Sequence, residues 1–199
     1  MEMMMFPQDR MFEEMKVNDY LKRNTIYIDE ELERSTQIKF CRQLEKLANQ
    51  ELEKPEDERK PIKVKISSFG GMILSVFAMV SYMERIQEQG IIIETYCDGY
   101  VASGASKILM AGSKGHRYIT RYGIVVFHQP NSIKHGHSTL QEDIKGLEDY
   151  KKDWETLKEM IRKHTEIPDD EIDSYTEKNI DFYYRPKEVI DFGIADHIL

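Results

Sequence analysis

Short runs of strand-forming residues recur along the first two thirds of the chain. The segment 62–66 alternates apolar residues with lysine, which is typical of a strand with one buried face. The segments 24–28, 90–97 and 123–127 are short and mostly apolar or β-branched, so they suit buried strands. A further short strand is predicted at 114–120. These patterns predict the strands of a sheet.

Helical patterns lie between these strands. Apolar residues at spacings of four and three mark one face of a helix over 35–53. Further helical patterns cover 72–89 and 102–111, and each follows a predicted strand. Two consecutive strand–helix–strand crossovers predict parallel strands in one sheet, and therefore an α/β fold.

The longest helical pattern runs from about residue 138 to residue 164. Ser138 and Gln141 have the spacing of a capping box, and an apolar stripe continues from Leu140 to Ile161. At 1.5 Å per residue this helix is about 40 Å long, which is more than a compact domain of this size readily covers. We therefore expect part of the stripe to pack against another subunit.

Length and composition restrict the class of protein. The 199 residues predict a single domain over 21–199, preceded by an arm, residues 1–20, that has no clean period. A net charge of -8 argues against nucleic-acid binding. Two cysteines form neither a metal-binding spacing nor a disulfide framework, which favours a reducing cytoplasm. The longest apolar run, 72–83, is interrupted by serines, so we expect no membrane span.

Ser103 lies where a strand pattern gives way to a helical one, and it is surrounded by small residues. Free backbone N–H groups and the helix dipole at such a junction favour negative charge near the hydroxyl oxygen. Neighbouring glycines and alanines leave room for a substrate backbone. The pattern therefore predicts a nucleophile, with a simple N-cap serine as the alternative.

Three further features are candidates for the same site. Gly70 and Gly71 follow the strand at 62–66, and their turn is either half of an oxyanion hole or an ordinary strand-to-helix turn. His128 ends the strand at 123–127 and precedes Gln-Pro, which suits a general base. Asp181 stands beside aromatic residues and is either the group that orients a histidine or a surface acid.

Together these residues resemble the ClpP family, the proteolytic subunits of the Clp protease. The resemblance covers residues 20–199 and rests on the glycine pair at 70–71, the Gly-Tyr-Val-Ala-Ser-Gly-Ala-Ser run around Ser103, His-Gln-Pro at 128–130, the long helix and the C-terminal segment 188–199. It implies an α/β, ClpP/crotonase-like spiral of βαβ units with a long protruding handle helix at about 138–164.

The resemblance also implies an activity and a site. The chain would be a serine endopeptidase that hydrolyses unfolded polypeptides inside an oligomeric chamber, with two seven-membered rings stacked as a 14-mer. Ser103 would be the nucleophile, His128 the base and then the acid, and Asp181 the group that holds the imidazole tautomer. The N–H groups of Gly71 and Gly104 would bind the oxyanion. No metal, nucleotide or other cofactor is implied at this site.

The chain departs from the family pattern around the site. Phe69 stands where the family has proline, and Gly104 stands where it has methionine. Lys107 follows Ser103 by one helical turn, so a Ser–Lys dyad is a second arrangement to test. The Ala-Ser-Gly-Ala-Ser pattern is also similar to signal peptide peptidases and phage-type Clp-like proteases.

A second departure concerns the partner. Family members carry aromatic residues on the strand that helps to dock an AAA+ unfoldase, whereas this chain has Lys63 and Lys65 there. We therefore expect a different partner, or function without a Clp unfoldase.

Two other functions remain to be distinguished. One is a non-catalytic ring subunit that assembles with an active paralogue, and the other is a crotonase-type acyl-CoA enzyme, which would not need Ser103.

Overall fold

The computed structural model describes residues 22–130, 139–178 and 180–199. The arm predicted at 1–20 lies outside these residues. In the described parts the strands are β1 Thr25–Ile28, β2 Ile62–Ser68, β3 Ile93–Ala102, β4 Arg117–Ile119, β5 Ile124–Phe127, β6 Phe182–Tyr184 and β7 His197–Ile198. The α-helices are α1 Arg34–Leu52, α2 Ile73–Gln87, α3 Gly104–Met110, α4 Leu140–His164, α5 Asp169–Glu177 and α6 Pro186–Asp191, and a short 3₁₀ helix spans Glu56–Glu58.

The strands form one mostly parallel sheet that divides at β3. β1, β2 and β3 are parallel neighbours. The first part of β3 pairs with β4, which in turn pairs with β7, and residues 100–102 of β3 pair instead with β5. β6 pairs with β5 and is the antiparallel strand among those described. The predicted α/β fold with parallel crossovers is therefore confirmed.

Burial follows the predicted periodicities. In β2, Ile62, Val64 and Ile66 are fully buried while Lys63 is exposed, as the alternation predicts. In α1 the buried face is formed by residues at spacings of four and three, and it packs beside α2. These faces belong to one continuous core that covers the sheet.

The sheet is more extensive than the sequence patterns predict. β3 continues to Ala102, past the predicted end at residue 97, because its last residues find a second partner in β5. β6 and β7 were not predicted, since strands of three and two residues are too short to show a period of two. Their pairing with β5 and β4 determines their conformation.

The long helix α4 begins one residue later than the capping pattern at Ser138 predicts. Thr139 is its N-cap, and its Oγ1 accepts a hydrogen bond from the backbone N–H of Glu142 at 3.3 Å. The Glu142 carboxylate accepts the Thr139 backbone N–H at 2.7 Å. The observed capping box is formed by Thr139 and Glu142, whose carboxylate also suits the helix dipole, and the predicted cap residue Ser138 lies outside the described residues.

The two halves of α4 have different surroundings. In the C-terminal half, Trp154, Leu157 and Ile161 are buried against the domain. In the N-terminal half, three apolar side chains on the described surface are 45% to 72% exposed, namely Leu140, Ile144 and Leu147. The apolar stripe thus runs along both halves of α4, but the rest of the chain covers only the C-terminal half of the stripe in the described structure.

Arg117 connects the C-terminal end of α4 to the edge of the sheet. Its side chain is 3% exposed, and its Nε and Nη2 donate to the Asp196 carboxylate at 2.9 and 2.6 Å. Its Nη1 donates to the carbonyl of His164 at 2.7 Å. Burial acts to raise the pKa of Asp196, but Arg117 and two backbone N–H groups outweigh burial and lower that pKa.

We expect Asp196→Asn to lower the free energy of unfolding by about 3 kcal/mol, because it leaves the Arg117 cation buried without its carboxylate. The pKa of Asp196 is lower in the folded than in the unfolded state, so its contribution is complete above about pH 4 and is lost as the pH falls further. Urea denaturation at pH 7 and pH 3 measures both effects. Asp191→Asn, at an exposed acid of α6, is the control, and equal stability of the two variants would contradict the prediction.

Candidate active site

Ser103 occupies a tight turn between β3 and α3. Its backbone N–H donates to the carbonyl of Val126 in β5 at 3.0 Å, and its own carbonyl accepts from Ser106 Oγ at 2.6 Å. Its φ is 52°, in the left-handed region that residues other than glycine rarely adopt. Strained turns of this kind occur at functional sites, and a comparable strand-to-helix turn presents the serine of α/β-hydrolases.

The glycine turn packs directly on Ser103. A methyl group at Gly70 would lie 2.7 Å from Ser103 Cβ and 2.8 Å from the Gly104 nitrogen, so a larger residue would displace the turn. Leu32 anchors the turn, since its N–H donates to the Gly70 carbonyl at 2.8 Å and its carbonyl accepts from Met72 at 2.9 Å. The close approach therefore depends on glycine at position 70.

The backbone N–H groups of Gly71 and Gly104 come together beside Ser103. A methyl group at Gly104 would lie 3.7 Å from the Gly71 nitrogen. Within the described residues, neither N–H donates to a protein acceptor. Two unpaired N–H groups next to a serine hydroxyl are suited to stabilising a developing oxyanion. The glycine at 104 is also required by packing, because Val76 Cγ2 would lie 2.5 Å from a Cβ there.

His128 follows the last residue of β5. Its Nδ1 lies 2.5 Å from the carbonyl oxygen of Gln129. Because a carbonyl oxygen only accepts, this contact places a proton on Nδ1, and in the neutral imidazole Nε2 then keeps its lone pair. This is the tautomer that a general base acting through Nε2 requires. The next carbonyl, that of Pro130, accepts from the hydroxyl of Tyr150, which connects the segment after His128 to α4.

Asp181 directly precedes β6. The antiparallel register pairs Phe127 with Phe182, so His128 and Asp181 occupy facing positions just beyond the paired residues. The Asp181 carboxylate is exposed and accepts from the Tyr183 hydroxyl at 3.4 Å. In the described parts of the chain, no hydrogen bond joins Asp181 to His128 or His128 to Ser103. The three residues thus share one edge of the sheet without being hydrogen-bonded to one another.

A cavity of about 350 Å³ opens beside Ser103. The glycines Gly71 and Gly104 line it, as does His128. The rest of its wall comes from α2 and the residue before it, from Lys107 of α3, from Pro130 and from α4, and includes Met72, Ile73, Val76, Gly146, Asp149, Tyr150, Asp153 and Leu157. The cavity is large enough to take a side chain of a peptide whose carbonyl approaches Ser103.

Lys107 also lines this cavity, although its side chain is only 2% exposed. Its Nζ donates to Ser106 Oγ at 3.2 Å and lies 4.1 Å from the centre of the Phe127 ring. Burial lowers the pKa of Lys107 to about 7. A Ser–Lys dyad would require this amine at the Ser103 hydroxyl, whereas in this structure it donates to Ser106.

Several residues that support the site are not predictable from the sequence pattern alone. Leu32, which anchors the glycine turn, is the one apolar residue in the acidic segment 29–33. A single apolar residue among acids is a sequence feature that could have indicated a buried anchor. The carbonyl of Gln129, which selects the His128 tautomer, left no signal because any residue supplies a carbonyl. Ser106 was noted only as a small residue of the motif, but its hydroxyl contacts both Ser103 and Lys107.

Three further features of the described residues concern metal binding, membrane spanning and the cysteines. Among residues 22–130, 139–178 and 180–199, no group of three or more histidine, cysteine or acidic side chains is arranged to hold a metal ion. None of the helices in these ranges is both long and apolar enough to cross a membrane. Cys41 and Cys97 are free thiols, and burial raises the pKa of both.

The fold and site define an α/β protein with a serine in a strained strand-to-helix turn, next to two unpaired backbone N–H groups. The Clp protease family model matches residues 9–199. The chain is also 30% identical over 183 residues to the ATP-dependent Clp protease proteolytic subunit 2 of Bifidobacterium longum (strain NCC 2705), covering 92% of this chain and 82% of the relative. The chain therefore belongs to the Clp protease family, as the sequence resemblance predicted.

We expect Lys107→Met to stabilise the fold by about 1–3 kcal/mol at pH 6, because it removes a buried amine that has no carboxylate partner in the described structure. The folded pKa is about 7 and the ordinary value is 10.5, so between these values the unfolded chain binds more protons. Wild-type stability therefore rises with pH across this window, and the advantage of the variant shrinks toward pH 10.

Urea denaturation of both proteins at pH 6, 8 and 10 measures this difference. Lys114→Met serves as the control, because the Lys114 side chain is 83% exposed and its removal should have a small effect that does not change with pH. An advantage of Lys107→Met that is the same at all three pH values would contradict the burial of an ionisable amine.

Proposed function

We propose that this chain is a serine endopeptidase that hydrolyses peptide bonds in unfolded polypeptides through a Ser103–His128–Asp181 triad. One observation carries the proposal: Ser103, His128, Gly71 and Gly104 line a single cavity. Membership of the Clp protease family supports peptide hydrolysis as the reaction.

The proposed reaction is acyl transfer in two steps. Ser103 Oγ attacks the peptide carbonyl while His128 Nε2 takes the hydroxyl proton, and the N–H groups of Gly71 and Gly104 bind the resulting oxyanion. The imidazolium then gives its proton to the leaving amine as the C–N bond breaks. In the second step His128 removes a proton from water, which attacks the acyl-enzyme and releases the acid and the free serine.

Asp181 has an orienting role in this proposal. The Gln129 carbonyl now accepts the Nδ1 proton of His128, and Asp181 stands at the facing register position. If the imidazole turned so that Nδ1 met the Asp181 carboxylate, the carboxylate would replace the carbonyl as acceptor without changing the tautomer. The carboxylate would then also stabilise the imidazolium, which a neutral carbonyl does less well.

We propose further that the chain works as a homo-oligomer, with heptameric rings stacked as a 14-mer that encloses the active sites. The exposed apolar residues of the N-terminal half of α4 support this proposal, because a second copy of the helix would cover them. A cytoplasmic location fits the two free thiols.

The face formed by β2 and β3 supports the proposal of an unusual partner. Lys63 is exposed on β2, and Lys65 Nζ pairs with Asp98 at 3.0 Å and lies 5.4 Å from the centre of the Tyr96 ring. The face therefore carries lysine cations and an ion pair beside the stacked rings of Tyr96 and Tyr118, which makes it more polar than a purely apolar docking pocket. We propose that the chain binds a partner other than an ordinary Clp unfoldase, or works without one.

We expect a fluorophosphonate to label wild-type protein stoichiometrically, because an activated serine attacks phosphorus, and we expect no labelling of Ser103→Ala. Ser103→Ala and His128→Ala should each lower peptidase kcat by at least about 10³-fold. Intact mass and a fluorogenic peptide assay measure both effects. Ser81→Ala, at an exposed serine of α2, is the control.

The other results of this experiment identify the competing functions. Absence of label in a fully assembled wild-type ring would favour a non-catalytic subunit. Turnover of a thioester by Ser103→Ala would favour an acyl-CoA enzyme. Full activity of His128→Ala would exclude the proposed triad mechanism and leave Lys107 as the candidate general base.

We expect Leu147→Glu to dissociate the assembly, because it places a charge within the exposed apolar part of α4. Native mass spectrometry and sedimentation velocity should show a complex of lower mass than the wild type. Lys145→Gln produces the same change in net charge on the same helix and should leave the mass unchanged. An unaltered mass for Leu147→Glu would exclude α4 from the interface.

A further inference from the structure

The cavity beside Ser103 contains a basic group that the proposed triad mechanism does not use. Lys107 lines this cavity, and its low exposure of 2% places it on the inner wall rather than at the rim. Helical geometry brings a residue four positions after Ser103 back over the same face, about one turn away. Lys107 thus borders the space that a bound substrate would enter next to the nucleophile, with its amine held behind that wall by Ser106 and Phe127.

The hydrogen bonding of this amine is incomplete. An ammonium group has three N–H donors, and within the described structure the protein offers it one oxygen, Ser106 Oγ at 3.2 Å. That oxygen is also the donor to the Ser103 carbonyl. The Phe127 ring, at 4.1 Å, provides a weaker cation–π contact. A ligand with negatively charged oxygen atoms would satisfy the remaining donors.

The acids near the cavity do not fill this role. Asp149 and Asp153 line the cavity from α4, but in the described residues neither forms an ion pair with Lys107. Asp149 is exposed and lies 3.7 Å from the Lys152 amine, so its charge is partly neutralised at the rim. Burial is the cause of the lowered pKa of Lys107, with no counterion acting against it.

The remainder of the wall is largely apolar, which makes an unpaired amine costly there. Met72, Val76 and Leu157 would pack well against another apolar side chain. A carboxylate that enters this space would pair with the amine away from water, where the interaction is stronger than at a surface. The arrangement therefore favours an acidic group over an apolar group of similar size.

The position of the cavity identifies which substrate residue would supply that group. The oxyanion donors Gly71 and Gly104 would hold the carbonyl that Ser103 attacks, and both residues line this cavity. The side chain attached next to that carbonyl is the one that reaches the cavity first. We propose that Lys107 makes the site select glutamate or aspartate as the residue whose carbonyl is attacked.

This proposal rests on the proposed peptidase function, and substrate pairs that differ only in charge test it. Capped peptidyl coumarin amides ending in glutamate, glutamine or leucine have no free C-terminal carboxylate, so a preference among them reports the side chain. We expect the assembled wild type to show kcat/KM for glutamate at least about tenfold above that for glutamine. In Lys107→Met this ratio should fall to about one, while Lys114→Met should keep the wild-type ratio.

A second readout does not depend on turnover. Peptidyl phosphonates ending in glutamate or glutamine react covalently with an activated serine, and their rates with Ser103 should show the same preference and the same loss in Lys107→Met. Urea denaturation shows whether that variant is folded, and the variant is expected to be more stable than the wild type at neutral pH.

A wild-type glutamate-to-glutamine ratio of one or less, or a ratio unchanged in Lys107→Met, would overturn the proposal. Loss of all Ser103 labelling in folded Lys107→Met would also overturn it and assign the lysine to proton transfer. If a generic fluorophosphonate labels Ser103 while the two phosphonates react equally, the selectivity fails and the peptidase function stands. If no probe labels wild-type Ser103, both proposals fail.

Discussion

The close approach of the Gly70–Gly71 turn to Ser103 is the constraint on which the candidate site depends. A Cβ at position 70 would overlap both Ser103 and the nitrogen of Gly104, and Leu32 holds the turn through backbone hydrogen bonds on both sides. Ser103 takes a φ of 52° under the same constraint. The backbone N–H groups of Gly71 and Gly104 lie beside this contact, and within the described residues neither donates to a protein acceptor.

Arg117 and Lys107 are both buried basic residues, but their hydrogen-bond partners differ. Arg117 is satisfied by a carboxylate and by carbonyl oxygens, so it joins the C-terminal end of α4 to the sheet and acts as a structural element. Lys107 has a hydroxyl and an aromatic face and no carboxylate in the described structure. The partners of Arg117 offset the free-energy cost of burying its charge. Lys107 lacks such partners, so a bound anionic ligand could offset part of the cost of burying its charge.

Strand pairing and helix length connect the site to the proposed assembly. The β5–β6 register brings His128 and Asp181 to facing positions, and α4 contributes one wall of the cavity. The C-terminal half of α4 is buried against the domain, whereas apolar side chains of its N-terminal half are exposed. An interface at that half would therefore adjoin the cavity beside Ser103, through the Tyr150 contact with the segment after His128.

The sequence by itself determined the main strands and helices, the α/β class and the family, because alternation in β2 and the three- and four-residue spacing in α1 are local patterns. It also identified Ser103, Gly71 and His128 as candidates from their places at strand ends. Only the tertiary structure decided the φ of Ser103, the anchoring role of Leu32, the tautomer of His128 and the pairing of β6. It also decided that the Lys107 amine is buried beside the cavity. Each of these depends on which distant segments meet, and on the burial and hydrogen bonding that result, which a local pattern does not contain.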